Sequence, residues 1–118
     1  MNMAQPQFLS VGEGERSRRI AVLTQPGKGP TVVWLGGFRS DMRATKAEAL
    51  AGWAQAKGRH FIRFDYAGHG ESGGDFAEWT LSDWLDDVLA VLTARVDGPA
   101  VLVGSSMGGW LALLATRR

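Results

Sequence analysis

The sequence contains no cysteine and only two histidines, and its formal net charge is +1 because 13 basic residues oppose 12 acidic ones. The lack of cysteine excludes disulfides, thiolate nucleophiles and Cys-ligated metals, and two histidines argue against a His-rich metal site. The balanced charge offers no basic surface for nucleic acid or an acidic membrane. No apolar run approaches the roughly 18 residues of a membrane span. We therefore expect no bound metal, no nucleic-acid partner and no membrane span.

The start of the chain, MNMAQPQFLSVGEGERSRRI, lacks the apolar segment of a secretory signal, and its mixed charges do not resemble a transit peptide. The expected location is therefore the cytoplasm. Three arginines, Arg16, Arg18 and Arg19, cluster in this stretch beside Glu13 and Glu15. The mixture of charges predicts a solvated entry to a strand rather than a binding patch.

Strand-like and helix-like segments alternate along the chain after an initial pair of strands. The predicted strands cover 7–11, 18–24, 31–35, 60–65 and 100–104, and the predicted helices follow residues 45, 80 and 106. The first two strands predict a hairpin, whereas the apolar runs at 31–35 and 100–104 are typical of strands covered on both faces. The order β-β-β-α-β-α-β-α predicts an α/β fold whose sheet starts antiparallel and continues parallel.

Two helix starts have the pattern of a capping box, Thr45 with Glu48 and Thr80 with Asp83. After the second box, apolar residues recur at a period of 3.6, which predicts one buried stripe. The stripe consists of Leu81, Trp84, Leu85, Val88 and Leu92. Among the five tryptophans we expect mostly core packing, with Trp79 as the one that could line a pocket.

The segment Gly104-Ser105-Ser106-Met107-Gly108 lies between an apolar strand and the last helix, and it fits the pattern G-x-S-x-G. In this pattern the serine occupies a strained conformation at a strand-to-helix turn, which exposes its hydroxyl above the sheet edge. The turn is so tight that a side chain two residues before or after the serine would collide. Gly104 and Gly108 flank Ser106 symmetrically, so Ser106 rather than Ser105 is the candidate nucleophile.

Four segments together resemble the α/β-hydrolase superfamily: GGFRSDM (36–42), TKAEAL (45–50), RFDYAGHGESGG (63–74) and VLVGSSMGGWLALL (101–114). The resemblance is greatest to the abhydrolase-type palmitoyl-protein thioesterases that also hydrolyse acyl glucuronides, and to their bacterial relatives. It implies the N-terminal part of an α/β-hydrolase fold, with helices on both faces of a mostly parallel sheet. Residues 1–118 are then expected to form a single incomplete domain that stops after the helix bearing the nucleophile.

The resemblance also implies roles for backbone groups. An acyl-transfer serine needs donors for the developing oxyanion, and in this fold the Met107 N–H and a group in the loop after the third strand, here the Phe38 N–H, would supply them. Gly36 and Gly37 would allow that loop to approach the serine, although the family usually has Pro-Gly-Phe or Pro-Gly-Tyr here. The implied triad of Ser, Asp and His, in that order, would need an acid and a histidine that do not follow Ser106 in this sequence.

The expected function is therefore hydrolysis of a carboxylic ester or thioester of a small or acylated substrate through an acyl-Ser106 intermediate, in the complete protein. Thioesterase, acyl-glucuronide esterase, carboxylesterase and peptidase activities all remain open. The alternative is a non-catalytic fragment or binding module of hydrolase fold, because the downstream acid and histidine are missing. The isolated chain is expected to be inactive and to self-associate through the exposed edge of the strand 100–104.

The segment GHGESG (68–73) formally fits the dinucleotide pattern G-x-G-x-x-G, but the next helix starts too late to hold a pyrophosphate, so we expect no cofactor. We interpret it instead as a loop that supports the site, with Gly68 and Gly70 in the turn and Asp65 accepting backbone N–H bonds. His69 is an alternative general base. The carboxylates Asp83, Asp86 and Asp87 are interpreted as complements to a helix dipole.

Overall fold

The computed structural model describes residues 5–117. The elements, in chain order, are β1 Gln7–Val11, β2 Arg18–Gln25, β3 Lys28–Leu35, α1 Thr45–Ala56, β4 Arg59–Phe64, α2 Leu81–Arg95, β5 Ala100–Gly104 and α3 Met107–Thr116, with short 3-10 turns at Gly14–Arg16 and Phe76–Glu78. The predicted order of strands and helices is confirmed. No helix turn begins inside the GHGESG segment, because α2 starts only at Leu81.

The five strands form one mixed sheet in the order β1-β2-β4-β3-β5. The β1–β2 and β2–β4 pairs are antiparallel, whereas β3 runs parallel to both β4 and β5. The predicted antiparallel start and parallel continuation are therefore both present. Strand β5 lies at the edge of the sheet, and Val101 on it is 50% exposed. Self-association through this edge stays a prediction.

The two faces of β3 explain how helices come to cover both sides of the sheet. Val33 and Leu35 point into the larger core, where α2 and α3 pack. Val32 and Trp34 point into the smaller core under α1. Alternation along a strand places successive side chains on opposite faces, so an uninterrupted apolar run needs cover on both.

The capping box predicted at Thr45 is absent. Ala44 is the N-cap of α1, and no side chain caps this helix end. The carboxylate of Glu48, which the box would have needed, instead binds the Arg63 guanidinium at 2.9 Å. Because Arg63 on β4 binds the Glu48 carboxylate, that carboxylate does not bond the backbone at the start of the helix. At the second helix the prediction is confirmed, because Thr80 and Asp83 form both bonds of a capping box.

Two sequence-based interpretations of charge need correction. Arg18 is not a solvated residue at a strand entry: it is 6% exposed and binds the fully buried Asp87 at 2.8 Å. Asp87 also accepts the Ala67 N–H at 2.9 Å, so it joins β2, α2 and the turn after β4 rather than simply complementing a helix dipole. Burial raises the pKa of Asp87 to about 6, while the Ala67 N–H and the Arg18 charge oppose that rise.

The apolar stripe of α2 departs in part from expectation, whereas most tryptophans are in the core as expected. Trp84, Leu85 and Val88 are buried as predicted, but Leu81 is exposed at the start of α2. Trp53 and Trp110 are exposed as well, so core packing accounts for three of the five tryptophans.

Candidate active site

The turn between β5 and α3 holds Ser106 in an unusual backbone conformation, with φ 59° and ψ −119°. Non-glycine residues rarely adopt positive φ, and such a conformation costs about 1–3 kcal/mol unless the surrounding structure enforces it. The Ser106 side chain is exposed, whereas Ser105 is half-buried and its N–H donates to the Leu35 carbonyl at 3.3 Å. The strained turn predicted for this segment is therefore present, and it presents Ser106 rather than Ser105.

Close backbone contacts explain the two glycines of this turn. A Cβ on Gly104 would lie 2.3 Å from the carbonyl carbon and oxygen of Gly108, so a side chain there would collide across the turn. A Cβ on Gly108 would lie 1.9 Å from the Leu35 carbonyl oxygen. The second collision is with β3 rather than with the other side of the turn. Both positions need glycine because backbone meets backbone there.

The loop after β3 runs alongside Ser106. A Cβ on Gly37 would lie 3.6 Å from the Ser106 Cβ, so the two residues are neighbours. Behind the loop, the Tyr66 hydroxyl donates to the Gly36 carbonyl at 2.9 Å. The structure therefore brings the loop at 36–42 to the candidate nucleophile, as expected.

Two backbone N–H groups beside the serine remain available to a ligand. The N–H groups of Phe38 and Met107 take part in no hydrogen bond among residues 5–117. Met107 is the first residue of α3, where backbone N–H groups lack partners within the helix. Phe38 is 55% exposed. These are the two N–H groups expected from the sequence as oxyanion donors, and that role stays a prediction.

His69 holds the loop after β3 in place and has no free nitrogen. It is 3% exposed, its Nε2 accepts the Arg39 N–H at 3.1 Å, and its Nδ1 lies 3.1 Å from the Ala67 carbonyl. Since Nε2 accepts, Nδ1 carries the proton and donates. An accepting Nε2 requires the neutral ring. Burial lowers the pKa of His69, although the bond to Ala67 opposes this. Arg39, at φ 62°, is thereby fixed in a conformation that non-glycine residues rarely adopt.

The turn after β4 is built around Asp65, which is 2% exposed. Its carboxylate accepts the Met42 N–H at 2.7 Å and the Glu71 N–H at 2.8 Å. This ties the turn to the loop after β3, as the structural role predicted for Asp65 requires. Burial raises the pKa of Asp65 to about 6, although the two backbone hydrogen bonds act to lower it.

The glycines of this turn make room for its contacts. Gly70 has φ 47°, and a Cβ there would lie 2.3 Å from the Asp65 carboxylate. A Cβ on Gly68 would lie 2.6 Å from the Phe76 Cα. Both glycines are therefore required for the shape of this turn, and their role in supporting the site stays a prediction.

An apolar cavity of about 360 Å³ adjoins Ser106 and is lined by Leu81, Met107 and Trp110. Trp110 is 62% exposed, and it is this tryptophan, not the buried Trp79, that lines a pocket at the candidate nucleophile. The sequence contained the necessary signal, because residues three and four apart share one face of a helix and Trp110 follows Met107 by three. We had instead expected Trp79 to be the tryptophan that could line a pocket.

Within residues 5–117 no group of three or more acidic, histidine or cysteine side chains is arranged to hold a metal ion. Of the helices in the same range, none combines the length and the apolar character that crossing a bilayer requires. His60, at the start of β4, bonds the Thr31 hydroxyl at 2.7 Å.

The comparisons with known proteins agree with this geometry. The mouse protein named "Palmitoyl-protein thioesterase ABHD10, mitochondrial" is 46% identical over 89 residues, which cover 75% of this chain and 30% of that protein. A solved structure from Agrobacterium vitis S4, named as a hydrolase, superposes with a TM-score of 0.92 at 46% identity, and it is covered to 44% of its length. The structure of mouse alpha/beta hydrolase domain-containing protein 10 superposes with a TM-score of 0.88 at 41% identity and the same coverage.

The chain thus spans less than half the length of the proteins it resembles. The expected cytoplasmic location is wrong, because the curated relatives in mouse and human are named mitochondrial. The composition of the first residues was not a sufficient basis for that expectation. The family model described as "Alpha/beta hydrolase family" matches residues 20–118. Together with the sheet order and the strained turn at Ser106, this match shows that the chain belongs to the alpha/beta hydrolase family.

Proposed function

We propose that this chain carries the nucleophile and the oxyanion donors of an enzyme that hydrolyses carboxylic esters or thioesters. The observation that carries the proposal is the exposed Ser106, held at φ 59° beside two unpaired N–H groups. A backbone conformation that costs free energy at a solvent-exposed serine needs a reason outside folding. Presenting the hydroxyl to a substrate is such a reason.

In the proposed reaction the Ser106 Oγ attacks the carbonyl carbon of the substrate, and the hydroxyl proton passes to a general base. The carbonyl oxygen becomes an oxyanion that accepts hydrogen bonds from the N–H groups of Phe38 and Met107. Removing one such donor typically raises the barrier by about 3–4 kcal/mol. The leaving alcohol or thiol departs with a proton, and water then releases the acid from the acyl-serine.

Neither histidine of the chain suits the role of that base. Both ring nitrogens of His69 are engaged, and a base needs a nitrogen free to accept the serine proton. His60 lies at the amino end of β4 and is bonded to Thr31 within β3, away from the carboxyl ends of the strands, where Ser106 lies. We therefore assign the general base to a residue other than these two, as the resemblance to Ser–Asp–His hydrolases implies. For the 118 residues alone we propose no turnover above background.

The apolar cavity beside Ser106 supports an apolar acyl group. Leu81, Met107 and Trp110 line it, and exposed aromatic and aliphatic surface in a concave site favours ligands of the same character. The mouse relative is named a palmitoyl-protein thioesterase, which agrees with such a group. We therefore propose acyl esters or thioesters with an aliphatic chain as the substrate class.

A fluorophosphonate probe tests the nucleophile in the protein expressed from the full reading frame that contains this sequence. We expect labelling of the wild type and of Ser105→Ala, and none of Ser106→Ala. Labelling that survives Ser106→Ala but not Ser105→Ala would overturn the assignment. A folded wild type that neither labels nor hydrolyses p-nitrophenyl esters would favour the alternative, a non-catalytic module.

A further inference from the structure

The turn that carries the proposed donor Phe38 has a conformation that its residues do not favour. The Ser40 N–H donates to the Gly37 carbonyl at 3.1 Å, so Phe38 and Arg39 are the two central residues. Arg39 has φ 62°, and among the described non-glycine residues only Ser106 also has positive φ, so the φ of Phe38 is negative. A negative φ followed by a positive one is typical of a type II turn, whose second central position is normally glycine. An arginine there needs a further interaction to stabilise it.

A turn of the commoner type I would relieve this strain. Type I has negative φ at both central positions, keeps the same closing hydrogen bond, and differs from type II by a rotation of the central peptide group through about half a turn. Here the central peptide group joins Phe38 to Arg39, so the rotation would point the Arg39 N–H to the opposite side. The group that binds this N–H therefore decides between the two types of turn.

His69 is the group that binds the Arg39 N–H, at 3.1 Å from Nε2. The imidazole ring is 3% exposed and lies among aromatic rings, with centroids 5.1 Å from Phe76 and Trp84 and 5.5 Å from Tyr66. Packing thus fixes the position of the accepting nitrogen. A rotated turn would present a carbonyl oxygen to this nitrogen, and two acceptors form no hydrogen bond. The neutral ring is therefore compatible with the type II turn alone.

The peptide group that bears the Phe38 N–H lies between two peptide groups held by side chains of the turn after β4. On one side the Tyr66 hydroxyl donates to the Gly36 carbonyl at 2.9 Å, and on the other side His69 accepts the Arg39 N–H. Without the His69 bond, the second of these neighbours is free to rotate, and the donor is held less precisely. A misplacement of about 1 Å in an active site can lower the rate by a factor of about 100.

We propose that His69 is a positioning residue: by accepting the Arg39 N–H it selects the type II turn and so holds the Phe38 N–H in place as an oxyanion donor. This role rests on the proposed function. His69 acts only through the backbone of the loop after β3, and it neither takes the serine proton nor touches the substrate.

The first step of the test removes the acceptor. His69→Phe keeps an aromatic ring, and the Ala67 carbonyl that loses the His69 N–H still accepts the Trp84 indole N–H at 3.0 Å. In the protein expressed from the full reading frame, we expect kcat for p-nitrophenyl esters to fall about tenfold, less than the factor of about 100 or more for a donor removed outright. KM should change little, because an oxyanion donor acts in the transition state.

The second step removes the strain. Glycine adopts φ 62° without a partner to stabilise it, so in an Arg39→Gly background His69→Phe should lower kcat by no more than about twofold. Arg39→Ala is the matched control, because it also removes the guanidinium, which lies 4.7 Å from the centre of the Phe76 ring, but keeps a Cβ. In that background His69→Phe should again lower kcat about tenfold. Equal losses in the wild-type, Arg39→Gly and Arg39→Ala backgrounds would overturn the proposal.

Urea unfolding of the same variants tests the turn without any chemistry. His69→Phe is expected to lower the unfolding midpoint less in the Arg39→Gly background than in the Arg39→Ala background. Equal decreases would overturn the selection of the turn by His69. The expected difference in a protein that hydrolyses no ester would support that selection but would overturn the proposed function, and the positioning role with it.

A measurement on the wild type covers the case in which His69→Phe does not fold. Spectra of the ¹⁵N-histidine-labelled protein should show His69 as a neutral ring protonated at Nδ1, the tautomer that leaves Nε2 to accept. A His69 ring protonated at Nε2 would overturn the proposal.

Discussion

The turn after β4 (residues 65–75) and the elbow after β5 (residues 104–108) both follow parallel strands of one sheet, yet different groups hold them. Buried polar side chains hold the first: Asp65 and Asp87 accept backbone N–H groups, and the Arg18 charge backs one of them. The elbow has no such side chains. It keeps its shape because Gly104 and Gly108 bring backbone directly against backbone. We expect the stability of the turn held by ionisable side chains to depend on pH. The stability of the elbow should instead depend on the size of the side chains at its two glycine positions.

Gly108→Ala has the largest expected effect on this comparison, because the new Cβ would lie 1.9 Å from the Leu35 oxygen. We expect the free energy of unfolding to fall by more than about 3 kcal/mol, and Ser106 labelling to disappear. Gly109→Ala is the control: its Cβ would lie 3.7 Å from the Gly104 oxygen, and alanine within a helix adds up to about 1 kcal/mol of stability. Urea unfolding measures both. Equal losses in the two variants would refute backbone contact as the cause.

Asp65→Asn is expected to change the pH dependence of stability. The folded pKa of about 6 lies above the usual 3.8, so the folded protein binds a proton that the unfolded chain releases. The free energy of unfolding should therefore fall as the pH rises from about 4 to 6, and Asp65→Asn should flatten that slope by up to about 1.4 kcal/mol per pH unit. Urea unfolding between pH 4 and 7 measures the slope.

Asp86→Asn removes an exposed carboxylate of α2 and serves as the matched control for that series. If Asp65→Asn left the slope as steep as in the wild type, the buried carboxylate would not be the group that titrates. Gly108→Ala should not alter the slope, which separates the two turns.

Ser106→Gly has the smallest expected effect, and it is of opposite sign. Glycine adopts φ 59° without strain, so this variant should be more stable than Ser106→Ala by about 1 kcal/mol, after allowance for the greater freedom of glycine in the unfolded chain. Both variants lose the hydroxyl, so fluorophosphonate labelling should disappear in each. Thermal unfolding compares them, and a glycine variant less stable than the alanine variant would show that the elbow conformation is not strained.

Much of the fold and of the elbow could be predicted from the sequence, because the relevant signals are local. Apolar runs bounded by glycines predicted the strands, and the spacing of Gly104, Ser106 and Gly108 predicted the strained turn. The box at Thr80 is confirmed, whereas the box at Thr45 failed since Glu48 found Arg63, a partner that only the folded sheet brings near.

The errors share that physical origin. Arg18 looked solvated because its partner Asp87 lies far along the chain. Asp87 nevertheless occupies the buried stripe of α2, three residues after Trp84, and a charge at such a position is a readable sign of a buried pair.

The Arg18–Asp87 pair can form only late during synthesis of the chain on the ribosome. The two residues are 69 positions apart, which at 5–20 residues per second is roughly 3 to 14 s of translation. Until α2 emerges, Arg18 lacks Asp87, the partner with which it is buried, and it stays hydrated because an unpaired charge is costly to bury. The hairpin of β1 and β2 therefore cannot bury Arg18 before α2 has been synthesised. Arrival of α2 is the event that lets the first half of the sheet close.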